Sequence, residues 1–401
     1  MDGLYGAIFI RPAANRESPF SMISSDPAEI EAMKTAASNP QLVVLSDWDH
    51  LTSDAYMQAM RESGYDIFCS DSVLINGSGS VYCKAPEELT ALQPPQIRQV
   101  VNESLTDKGC NPFLVTLQGD WKHNSAALPE GLNSGCVPSQ GDTTVFQVDR
   151  DAEWASFNFI SAAGIKALAV SIDEHPLYIY EVDGRYIEPQ LAHEFPIYNG
   201  ERYSAMVISG FATLSYLGSE QSSYQSVPYF DYGGINTTES VIVLNTTHLP
   251  PYPPILPAES MKPALYDPSS PDLAPTLKIT TKNDTWIDIV FQLEIPPPTL
   301  LQPPHPIHEH SNKAFLTGAD HGKFVWSSIE ATSKESPESF LQTPLYRDTY
   351  FMSPSGGAWI AIRYHVENPG AFLLHSHMET HLSSGMDMAI LDGIDAWPAA
   401  I

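Results

Sequence analysis

The chain has 401 residues, enough for two or three domains of ordinary size, and its 43% hydrophobic and 10% aromatic content can fill their cores. Lysine and arginine number 20 against 48 aspartates and glutamates, a net charge of −28. A surface so negative repels phosphate backbones and anionic headgroups, which excludes a nucleic-acid partner and a peripheral membrane role.

No apolar run approaches membrane-spanning length. The opening MDGLYGAIFIRPAANRES has neither the basic region nor the continuous apolar stretch of a signal peptide. Five sequons, at Asn76, Asn102, Asn236, Asn245 and Asn283, and an even count of four cysteines nevertheless point to secretion. A missing N-terminal part would reconcile the two signs. Cys69, Cys83, Cys110 and Cys136 permit three disulfide pairings, and their spacing does not choose among them.

In chain order, Leu4 to Ile10 reads as a strand with no neighbour to pair with. Residues 13–40 are polar and alanine-rich, with a short helix at Pro27–Ala37. From Leu42 short strands recur between turn residues: LVVLSDW, SVLING, TVFQV, SFNFI, LAVSI, LYIYEV and YSAMVIS. Many alternate apolar and polar side chains, the period of a half-buried strand. They define a β-sandwich over 41–215. Residues 216–274, with PPYPPILP and PALYDPSSPDLAP, read as an extended linker, because so much proline cannot sit in central strands. Strands resume in TLKIT, TWIDIVFQLEI, AFLTG, KFVW, WIAIRYHV, AFLLHSH and MAILDG, giving a further β-domain over 275–401. The predicted fold class is all-β. There is no glycine-rich phosphate loop, nucleophile elbow or zinc-ribbon pattern.

Six of the thirteen histidines fall in two tight groups: His305-Pro-Ile-His308-Glu-His310, and His375-Ser376-His377 followed by His381. Imidazole is the commonest metal ligand. Side chains two apart on a strand share a face, so His308 and His310 can reach one site, and His375 and His377 can do the same. Residue 376 points the other way. His381 can fold back to its side, His305 can join it, and Met386 can cap it as a weak axial ligand or simply pack the core. The layout is two metal sites bridged by one tripeptide. Glu309 reads as a solvated side chain, and the scattered His50, His123, His175, His193, His248, His321 and His365 as surface or hydrogen-bonded histidines.

One tripeptide bridging two sites resembles the multicopper oxidase family. HPIHEHSNKAFLTG is similar to its HPxHxHG motif, and NPGAFLLHSHMETHLSSGMDM to its NPGxWxxHCHxxxHxxxGM stretch. LSDWDHLTSD, DSVLINGSGSVYC and FISAAGIKALAVSIDEHPLYIYEVDG resemble the second cupredoxin domain of fungal pigment-type laccases, and DGLYGAIFIRP the last strand of the first. The resemblance implies two cupredoxin-like Greek-key sandwiches, at 41–215 and 275–401, with residues 1–40 the remnant end of a first domain. It makes His305 and His381 the blue-copper (type 1) histidines, with Met386 axial. His308 becomes a type 2 ligand, and His310, His375 and His377 become type 3 ligands. Ser376 stands where the family has the blue-copper cysteine, so His305, His381 and Ser376 mark the electron-accepting position. The first-domain HxHG and HxH motifs do not occur before His305. The implied activity is oxidation of phenolic or aromatic polyketide molecules by dioxygen, in fungal pigment biosynthesis and outside the cell. A partner chain could supply the missing histidines. Impaired electron transfer is expected from Ser376, because serine offers no thiolate. The alternative is a redox-inactive relative that binds an aromatic intermediate and guides its coupling, cyclisation or dehydration.

Overall fold

The computed structural model describes residues 2–92, 104–111, 122–149, 152–173, 175–208, 214–216, 241–245, 277–293, 305–352 and 357–397. The chain divides into two units, Met1–Pro228 and Tyr229–Ile401, each organised around its own core.

In the first unit, alternating β-branched and aromatic residues build nine strands: β1 (Gln41–Trp48), β2 (Ser72–Ile75), β3 (Trp154–Ser161), β4 (Leu168–Ile172), β5 (Leu177–Val182), β6 (Arg185–Ala192), β7 (Glu194–Ile197), β8 (Arg202–Ile208) and β9 (Leu214–Tyr216). They form a six-stranded sheet, β2-β1-β3-β8-β5-β6, and a three-stranded sheet, β7-β4-β9. β1 runs parallel to β3, with Gln41 opposite Phe157. Every second residue faces inward, so Val43, Leu45, Phe157, Phe159, Val170, Ile179 and Ala205 share one core. Asn76 closes the end of β1 in a left-handed conformation (φ 49°). Its carboxamide accepts from the Val44 N–H at 2.7 Å and donates to the Leu42 carbonyl at 3.0 Å, standing in for a missing ladder partner.

Disulfides join Cys69 to Cys110 and Cys83 to Cys136, selecting one of the three possible pairings. They close loops of 41 and 53 residues, each removing about 4 kcal/mol of unfolded-chain freedom by the loop-entropy relation.

Pro27–Ser38 is helical, capped by the Asp26 carboxylate on the Ala28 N–H. Phe20 and Met33 pack on Trp154, Tyr180 and Met206, so much of the 1–40 segment shares this unit's packing. A second helix, Ser53–Ser63, was not anticipated, although Thr52 caps it and Gly64 ends it at φ 71°. The expected strand at Leu4–Ile10 is corrected. Leu4, Ile8 and Ile10 are 99%, 85% and 82% exposed and join no sheet among the described residues. A strand needs a ladder to satisfy its backbone. TVFQV at 144–148 forms no strand for the same reason, although Phe146 and Val148 still pack against the core.

The second unit contains β10 (Val241–Asn245), β11 (Lys278–Thr280), β12 (Trp286–Leu293), β13 (His305–Glu309), β14 (Ala314–His321), β15 (Phe340–Arg347), β16 (Thr349–Met352), β17 (Ala358–His365), β18 (Gly370–Ser376) and β19 (Asp387–Asp392). Two five-stranded sheets, β10-β12-β17-β14-β15 and β11-β19-β18-β13-β16, enclose Ile289, Phe291, Ile307, Ile362, Tyr364 and Ile390. β10 lies inside the 216–274 stretch expected to be a linker, yet it pairs in parallel with β12. His248 and the two proline-rich motifs lie outside the described residues. KFVW at 323–326 is not a strand; Phe324 and Trp326 instead pack against Trp359. Arg363 grips Asp288 through two hydrogen bonds of 2.6 and 3.0 Å between directly opposed, buried positions. Asp392 accepts from Thr281, Tyr364 and Asn312, tying three segments of this unit together.

Candidate metal centre

β13 and β18 run antiparallel, with His308 opposite His375 and Ile307 opposite Ser376. That register, with the alternation of strand side chains, places both histidine groups.

On one face four imidazoles converge. His308 lies 5.0 Å from His310, 5.4 Å from His375 and 5.3 Å from His377, measured between ring centres. His310 and His375 are 5.2 Å apart, and His375 and His377 5.5 Å. One ring nitrogen each from His308, His310 and His375 falls within a 4.8 Å span. His308 Nδ1 donates to the Asp348 carbonyl at 2.8 Å, and His375 Nδ1 donates to the Ser376 carbonyl at 2.8 Å. A carbonyl can only accept, so both rings carry their proton on Nδ1 and present a bare Nε2. His375 Nε2 stands 3.2 Å from His310 Nε2. Burial is the main force pushing His308 down to about 4 and His375 down to about 3, and it lowers His310 as well. These rings are neutral at pH 7, the form that binds metal.

The opposite face holds a smaller pocket. His305 and His381 are 2% and 5% exposed, and their ring centres are 4.8 Å apart. Ser376 is wholly buried. Its N–H donates to the Met386 carbonyl at 3.0 Å, and the Met386 N–H donates to the His381 carbonyl at 2.9 Å. Met386 is thus tied to the pocket by its backbone. His305 Nδ1 is buried with no hydrogen-bond partner among the described residues. Leaving such a nitrogen unsatisfied costs about 1–3 kcal/mol, which an ion would relieve. Burial, reinforced by His381, holds the His305 imidazole well below its usual range.

The seven histidine and methionine positions singled out in the sequence therefore sort into these two groups, with Ser376 beside the second. Glu309 is a correction: it is not solvated but 1% exposed, with neither carboxylate oxygen hydrogen-bonded among the described residues. Burial drives its carboxyl well above the usual range, and Asp392 and Asp348 push the same way. The alternation already held the signal, since 309 shares the inward parity of 305 and 307. Asp348, which orients His308 and ion-pairs with Lys313 at 3.0 Å, was missed. It lies in a one-residue link between β15 and β16, neither of which the sequence announced.

Three of the scattered histidines behave as expected: His50 bonds Asp71, His175 bonds the Asp173 carbonyl and His365 sits between Asp284 and Glu367. The first unit carries a cleft of about 760 Å³ lined by Trp48, Asp49, Tyr82 and Lys108 among others. Burial, with Asp47 and Asp71 adding repulsion, raises Asp49 to about 7.

Paired sandwiches and histidines on both faces of one strand pair define a cupredoxin-type copper protein. Sequence models of the multicopper oxidase family match residues 40–209 and 248–395. The chain is 55% identical to Laccase abr2 of Aspergillus fumigatus, over 99% of its own length and 77% of that protein. It is 39% identical to Multicopper oxidase VdtB of Byssochlamys spectabilis, over 99% of its length and 68% of the relative. Its fold is similar to that of a laccase from Botrytis aclada, with a TM-score of 0.57 and 17% identity over 89% of this chain and 64% of that one. The chain belongs to the multicopper oxidase family. Copper is the metal this membership implies, with dioxygen as the family's oxidant. No helix among the described residues is long and apolar enough to cross a membrane.

The two pockets fit copper unequally. In the four-imidazole cradle His308, His310 and His375 are neutral and bring one ring nitrogen each within a 4.8 Å span. The second pocket has two buried imidazoles, but Ser376 cannot supply the thiolate of a blue-copper site.

Proposed function

We propose that the protein is a secreted, copper-dependent oxidase of the fungal laccase lineage. Its substrates are phenolic or aromatic polyketide molecules of a pigment-type pathway, and dioxygen is the terminal oxidant. Convergence of His308, His310, His375 and His377 on one face carries this reading. Copper held there supplies the electron-transfer chemistry toward dioxygen. The chain's part is to aim the nitrogens. Asp348 and Ser376 carbonyls fix the His308 and His375 tautomers, and burial keeps both rings neutral. Enclosing a full cluster takes further ligands, from the protein itself or a partner chain. Ser376 interrupts the route from substrate, so phenol oxidation is slow beside that of a cysteine-bearing relative.

The test is copper reconstitution of the purified chain, with dioxygen uptake on a simple methoxyphenol. Expected are bound copper that His308→Ala with His375→Ala abolishes, and slow uptake that stops with a chelator. A chain that takes up no copper overturns the reading.

A second reading is favoured by Ser376 and by the aromatic residues of the first unit's cleft, Trp48 and Tyr82. In it the protein binds an aromatic intermediate and guides coupling or a non-redox cyclisation or dehydration. Conversion that survives a chelator would select it.

A further inference from the structure

The pocket of His305, His381 and Ser376 has lost its one anionic donor and kept its neutral ones. Ser376 is fully buried, and its hydroxyl stays protonated at neutral pH. It accepts a long hydrogen bond of 3.4 Å from the Met378 N–H, so it is held in place by the fold. His305 retains a buried Nδ1 with no hydrogen-bond partner among the described residues. Met386 is tethered alongside through Ser376 and His381. The donors that the pocket brings together are therefore two imidazoles and a hydroxyl, none of them an anionic ligand.

Electrostatics then chooses the ion. The cost of burying an ion rises with the square of its charge, so without an anionic ligand a dication is penalised far more than a monocation. A hydroxyl, unlike a thiolate, brings no charge to offset that penalty. We propose that this pocket is a Cu(I) site, holding a reduced, colourless copper ion that air does not convert to Cu(II). The proposal rests on the copper-binding reading above and goes beyond it in assigning the oxidation state. No electron passes through the site in this account.

The test uses the full chain stripped of metal. It is titrated with Cu(I) without oxygen against a chromogenic Cu(I) chelator, then exposed to air. Copper is followed by paramagnetic resonance and X-ray absorption edge. Three chains are compared: wild type, His305→Gln and Ser376→Cys. Wild type should hold, beside the cradle's copper, one equivalent that remains resonance-silent and contributes a Cu(I) edge after air. His305→Gln should weaken that equivalent roughly tenfold or more. Ser376→Cys should turn blue in air. His381→Gln replaces His305→Gln if the latter does not fold.

A Cu(II) resonance in air that disappears in His305→Gln would overturn the proposal. So would a wild type with no His305-dependent copper beside a blue Ser376→Cys, an outcome that leaves the copper-oxidase reading standing. Copper binding by none of the three chains would remove both.

Discussion

Across the β13–β18 pair, four imidazoles line one face and two line the other, and the two faces are secured differently. In the four-ring cradle, His308 and His375 are fixed by carbonyls of Asp348 and Ser376. On the other face His305 Nδ1 is buried without such a partner. Residue 376 serves both sides, but with different atoms. Its carbonyl holds His375 for the cradle, while its side chain belongs to the opposite pocket. Any amino acid at 376 can do the first task, and only cysteine does the second as a blue-copper site requires. A single substitution can therefore disable one site and leave its neighbour on the opposite face assembled.

The sharpest way to break this comparison is Ser376→Cys. Intense blue absorption should appear, and phenol-driven dioxygen uptake should rise about a hundredfold, which is about 2.7 kcal/mol at 1.36 kcal/mol per decade. Copper in the cradle should stay the same by metal analysis. Loss of cradle copper would show that the faces are coupled after all.

Glu309→Leu addresses the inward face without touching a histidine. Removing a carboxyl with both oxygens buried and unbonded should stabilise the second unit by about 1–3 kcal/mol in denaturant unfolding. An unchanged or lower midpoint would mean that Glu309 finds partners in solution.

Asn76→Ala is the control from the first unit. Two hydrogen bonds to β1 are lost, costing about 1–2 kcal/mol, with copper stoichiometry unaltered.

The last expected effect is a slope. Asp49 has its folded pKa raised from 3.8 to about 7, so between those values the folded chain binds more protons than the unfolded one. Its contribution to stability is present at the acid end and is lost as pH rises toward about 7. Asp49→Asn should flatten that part of the melting-temperature profile.

Much of the site was legible because strand alternation is a strict geometric rule. The pairs 308/310 and 375/377 share a face whatever surrounds them, and 376 must oppose them. Strand existence was legible where a ladder partner formed, as for LVVLSDW and WIAIRYHV. It failed for Leu4–Ile10 and KFVW, whose composition is suitable but which join no sheet among the described residues. What needed the fold was long-range. The Cys69–Cys110 and Cys83–Cys136 pairings depend on which loops meet. The role of Asp348 comes from a backbone carbonyl, which no side-chain pattern reveals. Glu309 was misplaced because its charge was given more weight than its parity.

Both disulfides lie in the first unit, and the sequence from 229 onward contains no cysteine at all. The half of the molecule that carries the imidazole groups can thus mature without an oxidative folding catalyst. It forms no mixed adduct with glutathione, and a copper ion arriving there finds no sulfhydryl to oxidise. Reducing agents should unfasten the first half and spare the second.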